Sequence, residues 1–193
     1  MRSAAMRRVV AERPAVPLPM TFSSREFRDA LGLFATGIAV VTSAGDDGRL
    51  AGVTVNSFTS VSLDPPLVLV SLARTIRSFE IFAAARHFAV SLLREDQRHL
   101  STIFASTSED KFAGLHHHTG TVSCPIIHPN LVAFECETHA RHDGGDHELL
   151  LGRVIRLEAS LMAAPRPLVY FRGQYRELSD EHVEFAPFRL EGW

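Results

Sequence analysis

With 193 residues, 46% of them hydrophobic, the chain has the length and apolar content of one folded domain with a substantial core, which excludes a disordered polymer. A formal net charge of −2 argues against a nucleic-acid binder that works through a broad basic surface, and no apolar run is long enough to span a bilayer as a helix. Two cysteines, Cys124 and Cys136, do not make a disulfide framework and suit a reducing, cytoplasmic setting.

Residues 1–20 hold four arginines and three prolines. Val9-Val10-Ala11 is too short for a secretory apolar segment, and charged Glu12-Arg13 follow at once. The stretch reads as a flexible tail, leaving a single domain over residues 21–193. Ser23 and Glu26 have capping-box spacing, and Phe27, Leu31 and Phe34 recur at helical intervals, so a short helix is expected over residues 24–35. Gly37 ends it. Residues 38–43 are rich in β-branched types, and Gly45-Asp46-Asp47-Gly48 is a turn.

The run from Gly52 to Leu63 alternates. Val53, Val55, Val61 and Leu63 fall on one face, toward a core. Thr54, Asn56, Ser60 and Ser62 fall on the other, with Phe58 among them. Asp64-Pro65-Pro66 breaks the strand, because proline has no N–H for a ladder. Residues 67–72 are again strand, 73–78 a loop, and 79–85 a short helix with Thr75 or Ser78 as N-cap. Strand returns at residues 87–93, helix at about 96–105. Residues 106–129 read as loop and include the triplet His116-His117-His118. In residues 132–140, Val132, Phe134 and Cys136 alternate against Glu135, Glu137 and His139. A turn at Asp143-Gly144-Gly145-Asp146 sends the chain back through 147–157, and 168–178 is a last strand-like segment. Strands outnumber short helices and meet through turns, which favours a mainly β antiparallel barrel with short peripheral helices.

Several chemistries have no support. There is no Walker loop, no Gly-x-Gly-x-x-Gly after a strand and no Gly-x-Ser-x-Gly. The histidine triplet has no carboxylate or cysteine at ligand spacing beside it, so no metal site is expected. Cys136 reads as a buried small hydrophobe.

Three features remain. The face of Thr54, Asn56, Ser60 and Ser62 suits a solvated sheet by alternation alone. Yet it carries no charge, and short neutral side chains let a flat ligand lie close to the backbone. The loop at 73–78 offers the Thr75 and Ser78 hydroxyls, Arg74, Arg77 and the N–H groups of a helix start, suited either to a plain cap or to a phosphate. Lys111 would add charge there. Gly144-Gly145-Asp146-His147 is a hairpin turn, or a rim where an imidazole meets a planar substrate.

In this order these pieces resemble the short-chain flavin reductase family, the reductase components of two-component flavin-dependent monooxygenases. The resemblance spans residues 27–178. It rests on Ala35-Thr36-Gly37, the run Asn56-Ser57-Phe58-Thr59-Ser60-Val61-Ser62-Leu63-Asp64-Pro65-Pro66, then Lys111-Phe112, Gly145-Asp146-His147 and Tyr170-Phe171-Arg172-Gly173. It implies a split β-barrel of the FMN-binding type, a homodimer, FMN or FAD as flavin, and NADH or NADPH as hydride donor. It also implies a partner monooxygenase served by diffusing reduced flavin, with no nucleic acid and no membrane involved. Carried over by residue, Thr54, Val55, Asn56, Ser57, Ser60, Val61 and Ser62 would surround the flavin, with Thr36 and Gly37 close to its ring. Ala73, Thr75 and Ser78 would meet the phosphate, and Lys111 and Phe112 would close the site. Asp146, His147, Tyr170 and Arg172 would serve the nicotinamide, with His147 as the catalytic residue. The alternative within the same fold is an electron-transfer or sensor module that keeps its flavin; outside it, an interaction domain whose uncharged face binds another chain.

Overall fold

The computed structural model describes residues 20–159 and 166–179. Of the tail expected at residues 1–20, residues 1–19 lie outside them. The first element, α1 (Ser24–Leu31), starts where the sequence indicates. The Ser23 Oγ accepts from the Glu26 N–H at 3.2 Å, and the Glu26 carboxylate accepts from the Ser23 N–H at 2.8 Å. Phe22 and Phe27, just outside and just inside the helix, stack at 5.5 Å and fix the entry angle. The helix ends at Leu31, short of residue 35, because the Gly32 N–H already closes the last turn onto Arg28.

The body is a seven-stranded, wholly antiparallel sheet curled into a split β-barrel. Its strands in chain order are β2 (Ala39–Ala44), β3 (Leu50–Val55), β4 (Thr59–Leu63), β5 (Pro66–Ala73), β6 (His87–Leu92), β9 (Val132–Gly144) and β10 (His147–Ala159). Across the sheet they run β3-β2-β6-β9-β10-β5-β4. The short β1 (Thr36–Gly37) pairs with β11 (Val169–Phe171), which pairs with β12 (Gln174–Arg176). A hairpin of β7 (His117–Thr119) and β8 (Pro125–Ile127) packs outside. Two short helices, α2 (Phe79–Ala84) and α3 (Arg98–Ala105), complete the described fold; α3 follows one turn of 3₁₀ helix at Glu95–Gln97.

Two apolar clusters explain why β2 is buried on both faces. Val41, Val53, Val70, Phe88, Val90, Cys136 and Leu150 fill the barrel. Val40, Leu93, Leu100, Phe104, Ile127 and Leu168 form an outer layer under α3 and the β11–β12 hairpin. With no face left for water, the polar residues of β2 bond to backbone. Thr42 donates to the Pro125 carbonyl, and Ser43 to that of His87.

Several sequence expectations fail here. The run at 52–63 is two strands, not one: the chain leaves β3 at Val55, crosses to the far side of the sheet order, and resumes as β4. The period of two is lost at the crossing. Phe58, assigned to the polar face, packs against the barrel core 5.3 Å from Phe134. Val61 and Leu63, assigned to the core, are exposed, and a register shift sits between Ser60 and Ser62. Glu135, grouped with the polar residues of its strand, is fully buried. The β7–β8 hairpin covers that side of β9, and the carboxylate accepts from the Val122 N–H at 3.0 Å and faces Arg156 Nε at 3.3 Å. The histidine triplet runs into strand β7 rather than lying in open loop, and residues 168–178 form a hairpin rather than one strand. Arg172 and Gly173 make its turn, both at positive φ.

Candidate functional site

The last residues of β3 and β5 diverge at one end of the barrel, and the tip of the β9–β10 hairpin folds against them. Between them is an open cleft of about 180 Å³, lined by Thr54, Asn56, Ser57, Ala73, Ile76 and His147 among others. His147 stands opposite Ala73 in the β5–β10 ladder, which is why residues 74 apart in sequence share one wall. The turn that delivers it is two residues long, with Gly145 at φ 77°, a conformation that favours glycine.

Asp146 Oδ1 lies 2.6 Å from His147 Nδ1. An ionised carboxylate only accepts, so Nδ1 carries the proton and Nε2 is left for a ligand. The same hydrogen bond holds the Asp146 carboxyl below the usual aspartate range. Arg74 ties the other wall to this tip. Its backbone N–H donates to the Asp146 carbonyl at 3.0 Å, its Nε to that of Gly145 at 3.3 Å, and its Nη2 to Asp143 at 2.9 Å.

Two hydroxyls expected to face a ligand are engaged in the fold. Thr54 Oγ1 donates to the Ser101 carbonyl at 2.7 Å, fastening α3 to β3. Ser57 Oγ both donates to the Ser71 carbonyl and accepts from the Ser71 N–H, each at 3.0 Å. It thereby bridges the end of β3 to β5 and helps close the barrel. Asn56, between them, is exposed and uncommitted among the described residues.

On the other side of the loop at 73–78 runs a groove of about 530 Å³, lined by Arg49, Gly52, Arg77, Ser78, Lys111 and Phe112 among others. Lys111 Nζ donates to the carbonyls of Phe104 at 2.9 Å and Gly52 at 3.2 Å, so one of its three donors remains. Partial burial pushes its pKa down. Phe112 meets Phe104 edge-on at 5.1 Å. Ser78 occupies the N-cap position of α2 but makes no side-chain cap bond. Among the described residues, no backbone carbonyl accepts from the N–H groups of Thr75, Arg77 or Ser78, whereas those of Arg74, Ile76 and Phe79 are taken.

A neutral cleft, free backbone donors and a histidine rim are the parts of a site for a planar, phosphorylated ligand. Residues 31–179 match the model of the flavin reductase like domain. The chain belongs to that family. It is 45% identical over 151 residues to the reductase component of the flavin-dependent trigonelline monooxygenase of Acinetobacter baylyi, covering 78% of this chain but 48% of that protein. The chain thus spans about half the length of that relative. It is 38% identical over 165 residues to HsaB of Mycobacterium tuberculosis, the reductase subunit of a flavin-dependent monooxygenase, covering 86% of this chain and 88% of that one. Among solved structures, the NADH:FAD oxidoreductase SgcE6 of Streptomyces globisporus, determined with NAD and FAD fragments, superposes with a TM-score of 0.76. The two are 34% identical over 81% of this chain and 93% of that one.

For a flavin reductase domain, the residues present fit a flavin. Among the described residues, the buried Thr36 Oγ1 has no hydrogen-bond partner, a cost that a ligand's polar atom would relieve. Thr36 lies three residues before Ala39, whose ladder partner is Val55, so it sits at the cleft end of the barrel. A Cβ built on Gly37 would meet nothing within 4 Å, leaving open space beside it.

The remaining assignments fall elsewhere. Ser60, Val61 and Ser62 lie on β4, where Ser60 faces Val68 and Ser62 faces Leu67, several residues along β5 from Ala73. None of the three lines the cleft. Tyr170 pairs with Thr36 and meets Tyr175 edge-on at 5.9 Å in the outer layer. The Arg172 N–H donates to the Gly32 carbonyl at 2.8 Å in the β11–β12 turn. Neither lines the His147 cleft. Gly52, the first residue of the alternating run, has a packing reason of its own. A Cβ there would stand 2.6 Å from Phe104 Cδ1, so α3 packs on β3 only over a glycine. The sequence signal was a lone glycine inside a strand pattern.

Proposed function

We propose that this chain is an NAD(P)H:flavin oxidoreductase that passes hydride to FMN or FAD and supplies reduced flavin to a partner monooxygenase. The observation that carries this reading is the uncharged cleft where Thr54 to Ser57 meet Ala73 and His147. A bound flavin supplies the two-electron acceptor chemistry that hydride transfer from a nicotinamide requires. The protein's part is geometry and hydrogen bonding. Asn56 and the end of β3 meet the ring, Thr36 bonds a polar edge, and the N–H groups of Thr75, Arg77 and Ser78 with Lys111 hold the phosphate. Asp146 keeps the proton on Nδ1 of His147, whose Nε2 then docks the nicotinamide side of the donor. With few charged clamps, the site releases its flavin, as a supplier of reduced flavin must.

NADH is the preferred donor. Arg74 pairs with Asp143 at 2.9 Å and Arg77 with Glu109 at 2.6 Å, contacts with which a 2′-phosphate would have to compete. The working unit is a homodimer. The support is apolar surface left uncovered, with Phe27, Leu31 and Leu33 on and after α1, Phe34 at 76% exposure, and Leu63 at 68% beside Val61. Among the described residues no helix is long and apolar enough to cross a membrane.

The test is steady-state turnover of the purified chain with FMN and FAD, each against NADH and NADPH. Flavin-dependent loss of NADH absorbance is expected. No flavin binding and no NADH consumption would end the reductase reading, and a flavin that stays bound through dialysis would favour the electron-carrier alternative.

A further inference from the structure

A cluster of potential metal ligands stands away from the cleft. His118 in β7, His128 just after β8 and Glu158 near the end of β10 each offer one ligand atom, and the three atoms lie within 4.8 Å of one another. The fold explains the meeting. In the β7–β8 hairpin His118 is opposite Ile126, so His128, two residues further on, is its diagonal neighbour on the same face. Their rings stand 6.2 Å apart at 69°. Glu158 arrives from a separate strand, 40 residues from His118 in sequence. None of the three is close enough to the others in the chain for ligand spacing to reveal them.

We propose that His118, His128 and Glu158 bind a divalent transition metal of the zinc class, with solvent completing the coordination. Two imidazoles and one carboxylate are a donor set for Zn²⁺ and its neighbours, not for Ca²⁺ or Mg²⁺, which take oxygen. His118 Nε2 and Glu158 Oε2 are 3.2 Å apart. Ligand atoms at ~2.0–2.1 Å from a tetrahedral zinc stand ~3.3 Å from each other, so this pair already has the span an ion needs. His128 completes the set with a small side-chain rotation, which its exposure permits. Side-chain exposures of 46% for His118 and 33% for Glu158 leave a route for the ion from solvent.

The site's role is structural. His147 begins β10 and Glu158 is its twelfth residue, so the two stand ~35 Å apart along the strand at ~3.3 Å per residue. A metal there fastens the β7–β8 hairpin to the far end of β10 and does not touch the flavin cleft. The inference therefore stands whether or not the reductase reading does.

The probe is Co²⁺ added to the untagged full chain, followed by its visible absorption, then displaced by Zn²⁺. One equivalent should bind with tetrahedral-type bands. His118→Ala, His128→Ala and Glu158→Gln should each weaken binding by roughly tenfold or more, since losing a ligand costs no less than losing a ligand's support. His116→Ala should bind as the parent does, and Zn²⁺ should raise the thermal midpoint of the parent but not of His128→Ala. The proposal is overturned if the parent takes up no Co²⁺. It is equally overturned if His128→Ala or Glu158→Gln binds as tightly as the parent, or if His116→Ala loses as much as His118→Ala, which would mark mere affinity of a histidine tract.

Discussion

Replacing Ser57 by alanine separates two roles for one hydroxyl. In the structure that hydroxyl gives both of its hydrogen bonds to Ser71, one to the carbonyl and one from the N–H, each 3.0 Å long. Each such bond contributes ~0.5–1.5 kcal/mol net, so the pair is worth about 1–3 kcal/mol. Both residues are only half-buried, and water can reach the orphaned Ser71 groups, which places the expected loss at about 1–2 kcal/mol. For a chain of this size that lowers the thermal midpoint by roughly 2–8 °C. The assay is chemical and thermal denaturation of Ser57→Ala beside the parent, without flavin and at fixed protein concentration, because association would shift both midpoints. Flavin affinity, by fluorescence titration, should change less than twofold to threefold, about the effect of ~0.5 kcal/mol. Unchanged stability together with a tenfold loss of flavin affinity would refute the reasoning and return the hydroxyl to the ligand.

Other substitutions probe other links. His147→Ala should lower kcat/KM for NADH by up to about tenfold, the scale of one lost hydrogen bond of ~0.5–1.5 kcal/mol, with flavin affinity nearly unchanged; a drop confined to flavin affinity would move His147 to the other ligand. Gly152→Ala should destabilise by ~1–3 kcal/mol or more through overpacking, read by urea denaturation. Its new Cβ would lie 2.8 Å from Phe88 Cε1 and 3.0 Å from Cys136 Cβ, both in fully buried residues. Burial raises the Cys124 thiol to about 11 and that of Cys136 to about 12, from an ordinary 9.0. Raised folded values mean the folded state binds more protons above pH 9. Stability is therefore intact below pH 9 and falls as the pH climbs toward 11 and 12. The same thiols should resist alkylation at pH 8 until the protein is unfolded, and rapid labelling of native protein would contradict their burial.

Local features were legible where one residue's chemistry decides them. The Ser23–Glu26 box, the Gly145-Asp146 turn and the break at Asp64-Pro65 each act through the backbone within four residues. Periodicity failed where it had to be carried across an interruption. Val53 and Val55 are core and Val61 and Leu63 are not, because the crossing between β3 and β4 resets which face is inward. Glu135 and β2 show the complementary limit. A second layer over a sheet's outer face turns a polar alternation into burial, and only the tertiary arrangement reveals that layer. In the candidate site, the tip with His147 and the loop at 73–78 were placed by sequence, and the ladder pair of His147 with Ala73 brings them together. Thr54 and Ser57 line the cleft, but no sequence pattern shows that their hydroxyls bond to Ser101 and Ser71.

A two-residue hairpin tip is usually where a protein tolerates extra length. The β9–β10 tip is different because Arg74 grips it from 71 residues away in sequence, through the carbonyls of Gly145 and Asp146 and the side chain of Asp143. Any inserted residue would carry those three acceptors off together and leave the loop at 73–78 without its anchor. The length of that turn is therefore set by a residue in the loop after β5, and loop variation in this chain has to be accommodated elsewhere.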